Sequence, residues 1–200
     1  MKILAIADEE AKYFYDFYRP GRLNEFDLII SCGDLKANYL EFLATMAKCP
    51  VLYVRGNHDD RLSDSPPGGC ICIENKIYEH NGVRIFGLGG AYRYRPGANM
   101  YTEKQMKRRI WKAGIQLWRK KGFDILVNHA PAYGLNDLNN LSHRGFESFL
   151  YLIEKYKPKY FIHGHVHMSY DYKMPRIFTY GDTTVVNAYE YCKLDYGEES

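Results

Sequence analysis

Val51-Leu52-Tyr53-Val54-Arg55-Gly56-Asn57-His58-Asp59 joins a short apolar run to a glycine bend and a cluster of polar side chains. Four consecutive apolar residues are too few for a helix, and the glycine that follows punctuates them. The run therefore predicts a buried strand ending in a polar loop. The same grammar recurs along the chain. Residues 3–7 lead into Asp8-Glu9-Glu10, residues 28–31 into Gly33-Asp34, residues 124–127 into Asn128-His129-Ala130-Pro131, and residues 160–162 into Gly164-His165-Val166-His167. Amphipathic stretches over residues 9–18, 38–47 and 146–156 predict helices in between. This βαβ rhythm implies a largely parallel central sheet.

The middle and the end change character. Residues 76–80 and 83–88 flank Asn81-Gly82, and residues 176–180 and 183–186 flank Gly181-Asp182, so each pair reads as a hairpin. Residues 189–194 add one more strand, and Pro66-Pro67-Gly68-Gly69 marks a loop between the parallel half and the hairpin half. At 200 residues, with no repeat or low-complexity linker, a single domain over 1–200 and a mixed α/β layered fold are expected. Apolar and charged fractions of 46% and 26% argue against disorder, and a net charge of +3 is weak evidence for any polyanionic partner. Five cysteines without a zinc-type pair read as reduced thiols of a cytoplasmic protein. No leader pattern or membrane-length apolar run is present, so no membrane partner is expected. Nothing in the composition specifies an oligomeric state.

Each polar signature has an ordinary reading when taken alone. Asp8 suits a helix N-cap, Gly33-Asp34 a turn, Asn57-His58-Asp59 a polar loop, and His129 a satisfied structural histidine. Gly164-His165-Val166-His167 is stronger, because two imidazoles one residue apart after a glycine are seldom needed for packing. All five stand at or just after expected strand ends, where open α/β sheets form their ligand crevice. Oxygen and imidazole donors gathered there suit Mn, Fe(II), Zn or Co.

The ordered set resembles the calcineurin-like metallophosphoesterase superfamily, whose motifs run DxH, GD, GNH[DE], H and GHxH. Here they stretch from Asp8 to His167. The resemblance implies a four-layer αββα sandwich of two mixed β-sheets flanked by helices. It also implies two divalent metal ions, one held by Asp8, Asp34 and His167 and the other by Asp34, Asn57, His129 and His165. His58 would stand beside the substrate without binding metal. Glu10 departs from the pattern, where a histidine is usual. It ligates directly or through water and tilts the site towards Mn or Mg, or acts only from behind the ligands, or merely opens the next helix. The favoured expectation is ligation, with Mn as the metal.

The reaction implied is hydrolysis of a phosphate ester by a hydroxide activated between the two metals, with His58 as general acid. No acidic residue that would orient His58 follows Asp34, where Lys36 and Ala37 stand instead. Arg93 and Arg95, interleaved with Tyr92 and Tyr94, are candidate substrate-binding residues, and His143 is another. A solvated loop is the equal alternative for the arginines. The GNHD form and compact size resemble small bacterial phosphodiesterases, which favours small nucleotide-type phosphodiesters as substrates. A phosphomonoesterase or protein phosphatase is the alternative, and a nucleotide-binding module with weak turnover is a third. Residues 104–121 form a basic helix with Met106, Ile110, Ala113 and Leu117 facing the sheet. Trp111, Ile115 and Trp118 share another face, whose tryptophans are expected to pack under a loop or a second subunit, and nucleic-acid binding is not favoured. His80 and His163 are expected to be structural.

Overall fold

A computed structural model describes residues 1–170 and 173–197; of the expected 1–200 domain, residues 171–172 and 198–200 lie outside the described residues. In chain order the elements are β1 (Lys2–Ala7), β2 (Leu28–Ser31), α1 (Ala37–Met46), β3 (Val51–Tyr53), β4 (Cys70–Cys72), β5 (Ile77–His80), β6 (Val83–Leu88), β7 (Ala91–Tyr92), β8 (Met100–Tyr101), α2 (Glu103–Arg119), β9 (Ile125–Asn128), α3 (Glu147–Tyr156), β10 (Tyr160–His163), β11 (Ile177–Tyr180), β12 (Thr183–Asn187) and β13 (Glu190–Asp195).

Alternation along the strands decides the layering. Side chains at successive positions point to opposite faces, so a strand apolar throughout must be covered on both. In β1, Ile3, Ala5 and Ala7 face one side and Leu4 and Ile6 the other, and all are fully buried. The first sheet has the order β13-β1-β2-β3-β4, parallel except for β13. The second runs β11-β12-β10-β9-β6-β5, with four parallel inner strands and antiparallel edges. Between the sheets, Ile30, Leu52 and Val54 meet Ile85, Val127, Ile162 and Val186. Behind the first sheet, Ile29, Val51 and Tyr53 pack with Leu40 and Leu43 of α1 and with Phe14 and Leu23. Behind the second, Phe86, Leu126 and Phe161 pack with Met106 and Leu117 of α2 and Phe149 and Leu152 of α3. The expected four-layer sandwich is thus the observed one. Each such aliphatic or aromatic side chain contributes about 1.5–3 kcal/mol when fully buried, and truncating Ile85 between the sheets costs about 2–5 kcal/mol.

The Asn81-Gly82 turn has the form read from its residues: φ is 50° at Asn81 and 79° at Gly82, and Ile77 through His80 pair with Phe86 through Val83. The helix expected over residues 9–18 is not formed. That stretch is a series of turns, with Phe14 N–H donating to Ala11 and Phe17 N–H to Lys12. The Arg22 guanidinium donates to the Tyr13 and Phe17 carbonyls, each at 2.5 Å, and Phe14 is packed edge-on against Phe26 and Tyr191. Tertiary anchoring of aromatic side chains overrides a weak helical preference. The Pro66–Gly69 stretch is a loop as expected, but it delivers β4, a three-residue strand that pairs in parallel with β3. Among the described residues, no helix is long and apolar enough to cross a membrane.

Candidate functional site

Five loops leave the carboxyl ends of β1, β2, β3, β9 and β10 on one edge of the sandwich, and each carries one of the polar signatures. Side chains from both sheets interlock there. Asp8 Oδ2, on the first sheet, accepts the backbone N–H of His165, on the second, at 2.8 Å. In return, the His129 ring donates from Nδ1 to the Cys32 carbonyl at 2.9 Å. The loops meet so closely that two glycines are obligatory. A Cβ on Gly56 would fall on the Asp34 carboxylate and 2.7 Å from His129 Cε1, and one on Gly164 would lie 2.6 Å from Asp8 Oδ2. Asp8, Asp34 and His165 all hold left-handed backbone, with φ of 65°, 56° and 68°. Such conformations cost about 1–3 kcal/mol each in a non-glycine residue and collect where function demands a side-chain direction.

At the centre, two acceptor oxygens converge on one imidazole nitrogen. Asn57 Oδ1 lies 3.0 Å from His129 Nε2, and Asp34 Oδ2 lies 3.4 Å from the same nitrogen. Because Nδ1 is already donating, Nε2 must carry a second proton to face these two oxygens, or present its lone pair beside them to a cation. Asp34, His129 and His165 offer ligand atoms within 4.8 Å of one another. His165 donates from Nε2 to the Ser142 carbonyl at 2.6 Å, which leaves Nδ1 as its free nitrogen. His167 Nε2 stands 4.0 Å from Asp8 Oδ1. This mixture of carboxylate, amide oxygen and oriented imidazole fits a divalent cation.

The electrostatics express the same demand. Burial works against charge on Asp34 and His129, yet their mutual attraction wins. The Asp34 carboxyl is held well below the usual range, helped by the His58 backbone N–H, and His129 is raised, helped by Asp8 and Asp59. Burial lifts Asp8 to about 7 and Asp59 to about 6. Burial, with the charge of His129 behind it, lowers His165 to about 3, so its imidazole is neutral and its lone pair available.

Around this centre lies a cleft of about 440 Å³, lined by Asp8, Asp34, Asn57, His58, Tyr94, His143, His165, His167 and Tyr170. His58 is exposed there, and its backbone N–H is fixed to Asp34 Oδ1 at 2.8 Å. No side chain among the described residues hydrogen-bonds its ring. His143 is placed 5.2 Å from the ring of His165 and 5.1 Å from that of Tyr170. Arg93 and Arg95 are not brought into the cleft: Arg93 donates to the Met100 carbonyl, and Arg95 lies over its neighbour Tyr94, which does reach the cleft. Glu10 lies in an adjoining depression of about 330 Å³ that shares Asp8 and Asp34, and its Oε1 is 3.1 Å from Lys36 Nζ. His80 ties β5 to the first sheet through the Asp27 carbonyl, and His163 is buried against Phe161, lowered to about 4 by burial. A larger groove, about 950 Å³ between α2 and α3, shares no lining residue with the cleft.

Asp59 was not assigned a role from the sequence. Its Oδ2 accepts the backbone N–H of Asp34 at 2.7 Å and of Gly56 at 2.8 Å. Its position beside His58 was the available signal. The Ser142 carbonyl that orients His165 carries no sequence signal, since any residue supplies a carbonyl.

The chain matches the calcineurin-like phosphoesterase family over residues 1–169. A UPF0046 protein of Caenorhabditis elegans is 26% identical over 188 residues, covering 79% of this chain and 63% of that protein. The chain thus spans less than two thirds of that relative's length. An uncharacterised protein of Haemophilus influenzae is 27% identical over 196 residues, covering 86% of this chain and 85% of that protein. Among solved structures, a Thermus thermophilus protein shares the fold with a TM-score of 0.64 at 16% identity, over 94% of this chain and 89% of that one. A 5′-nucleotidase of Candida albicans has a TM-score of 0.55 at 14% identity, over 94% of this chain and 45% of that one. The motif loops fall within the matched residues and the layers agree, so the chain belongs to the calcineurin-like phosphoesterase family.

Proposed function

We propose that this chain hydrolyses small nucleotide-type phosphodiesters, with Asp8, Asp34 and His167 holding one divalent cation and Asp34, Asn57, His129 and His165 the other. The reading rests on the meeting of Asp34 Oδ2 and Asn57 Oδ1 at His129 Nε2, under a cleft to which His58 is open. When bound, a cation pair supplies positive charge to phosphoryl oxygens and acidifies a water near neutral pH. The chain's own groups do the rest. Asp34, on left-handed backbone, would lend its carboxylate to both ligand sets. His58, on a backbone fixed to Asp34 but with a free ring, protonates the departing oxygen. Tyr94, His143 and Tyr170 offer flat faces for the base or other organic part of a diester.

Glu10 is read as a ligand acting through water. Its carboxylate lines the depression beside Asp8 and Asp34, and Lys36 shares its charge. The added oxygen donors favour Mn over softer ions. Five cysteines free of disulfides support a reducing, cytoplasmic setting.

One experiment tests the reading. The protein is stripped of metal, reloaded with Mn, Zn, Fe(II), Co or Mg, and assayed on a generic aryl phosphodiester and an aryl phosphomonoester. Metal-dependent cleavage that is faster on the diester is expected. Monoester preference would reassign the substrate class, and tight nucleotide binding without turnover would make the site a binding module.

A further inference from the structure

α2 carries apolar residues on two opposite faces. Met106, Ala113 and Leu117 are buried against the second sheet. On the far side Trp111, Ile115 and Trp118, spaced to share one stripe, are 81%, 74% and 79% exposed. The expectation that they pack under a loop is therefore not met. Stripes of this kind on a soluble domain mark an interaction surface.

The flanks of the stripe are cationic. Lys104, Lys107, Arg108, Lys112, Arg119 and Lys121 are exposed, and none forms an ion pair among the described residues. The only acid on the helix, Glu103, is occupied: its carboxylate accepts the backbone N–H groups of Glu147 and Ser148 at 3.2 and 2.9 Å. Glu147, at the edge of the adjoining groove, pairs with Arg144.

We propose that this face of α2 lies flat on an anionic lipid surface. Both indoles protrude from the helix, and Trp111 and Ile115 also border the groove between α2 and α3 while Trp118 borders a second hollow, so a rigid partner would have to match both rings and the groove at once. A bilayer interface yields to protruding rings and favours indoles at headgroup depth, with lysine and arginine beside lipid phosphates. A 17-residue helix is about 25 Å long, enough to lay all three apolar side chains on one plane. A second copy packed on the same face would set these cations against each other. A nucleic acid would find Ile115 between the rings, where stacking needs an aromatic face. Contact of this type needs no membrane-spanning helix.

The two tryptophans of the chain both lie on this stripe, so tryptophan emission, excited selectively over the 19 tyrosines, reports on it alone in the intact protein. The protein is titrated with vesicles of phosphatidylcholine, and of phosphatidylcholine mixed with phosphatidylserine, while emission and co-sedimentation are followed. A blue shift and co-sedimentation with the anionic vesicles only, weakened by salt, are expected. Trp111→Ser with Trp118→Ser, read by co-sedimentation, and Lys107→Glu with Lys112→Glu should each lower partitioning by more than about tenfold. Circular dichroism and hydrolysis of a soluble ester should remain unchanged, since none of these residues lines the cleft. The proposal is overturned by equal binding to neutral vesicles, by no response to any vesicle, by a lipid-free blue shift that tracks dimer formation, or by a stronger response to single-stranded RNA.

Discussion

Asp59 Oδ2 accepts the backbone N–H of Asp34 at 2.7 Å, so a buried carboxylate that does not line the cleft sets the direction of the carboxylate at its centre. The same oxygen takes the Gly56 N–H at 2.8 Å, which locks the loops after β2 and β3 to one another. Asp59→Ala should therefore lower divalent-cation affinity by about 10–100-fold, as loss of an orienting partner does. Asp59→Asn, which keeps an oxygen acceptor, should fall between. Calorimetric titration with Mn decides the matter; wild-type affinity in the alanine variant would remove Asp59 from the positioning role.

His58 is exposed in the cleft with a fixed backbone and a free ring. His58→Ala should cut turnover of a phosphodiester by about 10²–10⁴-fold, the range of a positioned general acid. The metal content should stay at the wild-type level. Metal lost together with activity would identify His58 as a ligand.

Glu10 Oε1 faces Lys36 Nζ at 3.1 Å beside Asp8 and Asp34. Replacing this oxygen donor by imidazole in Glu10→His should shift the preferred ion from Mn towards Zn or Fe(II). Competitive loading followed by elemental analysis measures the shift. The same metal preference in variant and parent would deny Glu10 any part in choosing the ion.

Far from the cleft, Asp124 accepts from Arg84 at its backbone N (2.8 Å), Nε (2.9 Å) and NH2 (2.6 Å), clamping β6 to the start of β9. Hydrogen bonds from the guanidinium lower the folded-state pKa of Asp124. A depressed carboxylate contributes stability above its unfolded pKa, about 3.9, and loses it as pH falls through the folded value. Asp124→Asn should thus cost about 1–2 kcal/mol near neutral pH, with the gap between variant and parent closing below about pH 4. Urea unfolding at several pH values tests the sign; a gap that widens in acid would contradict it.

Short-range features of the chain were readable without the fold. The apolar runs of β1, β2 and β3, the Asn81-Gly82 turn and the two faces of α2 are properties of neighbouring residues, and periodicity and turn chemistry report on neighbours. The five polar signatures were legible as a set because each is short and each follows a strand. Residues 9–18 form turns where periodicity predicts a helix, because Arg22 and the packing of Phe14 act from outside the window. The three-residue β4 was missed because it has no period to detect.

By itself, the sequence determined which polar side chains stand at the strand ends, the strands they follow and the layered class those strands build. Tertiary structure alone decided that Asp8, Asp34 and His165 take left-handed backbone, that Asp59 and the Ser142 carbonyl aim the groups beside them, that Arg93 turns to Met100, and that Trp111 and Trp118 are left uncovered. The reason is that these relations join residues remote in sequence, through hydrogen bonds and packing that form only once both sheets bring their strand ends to one edge.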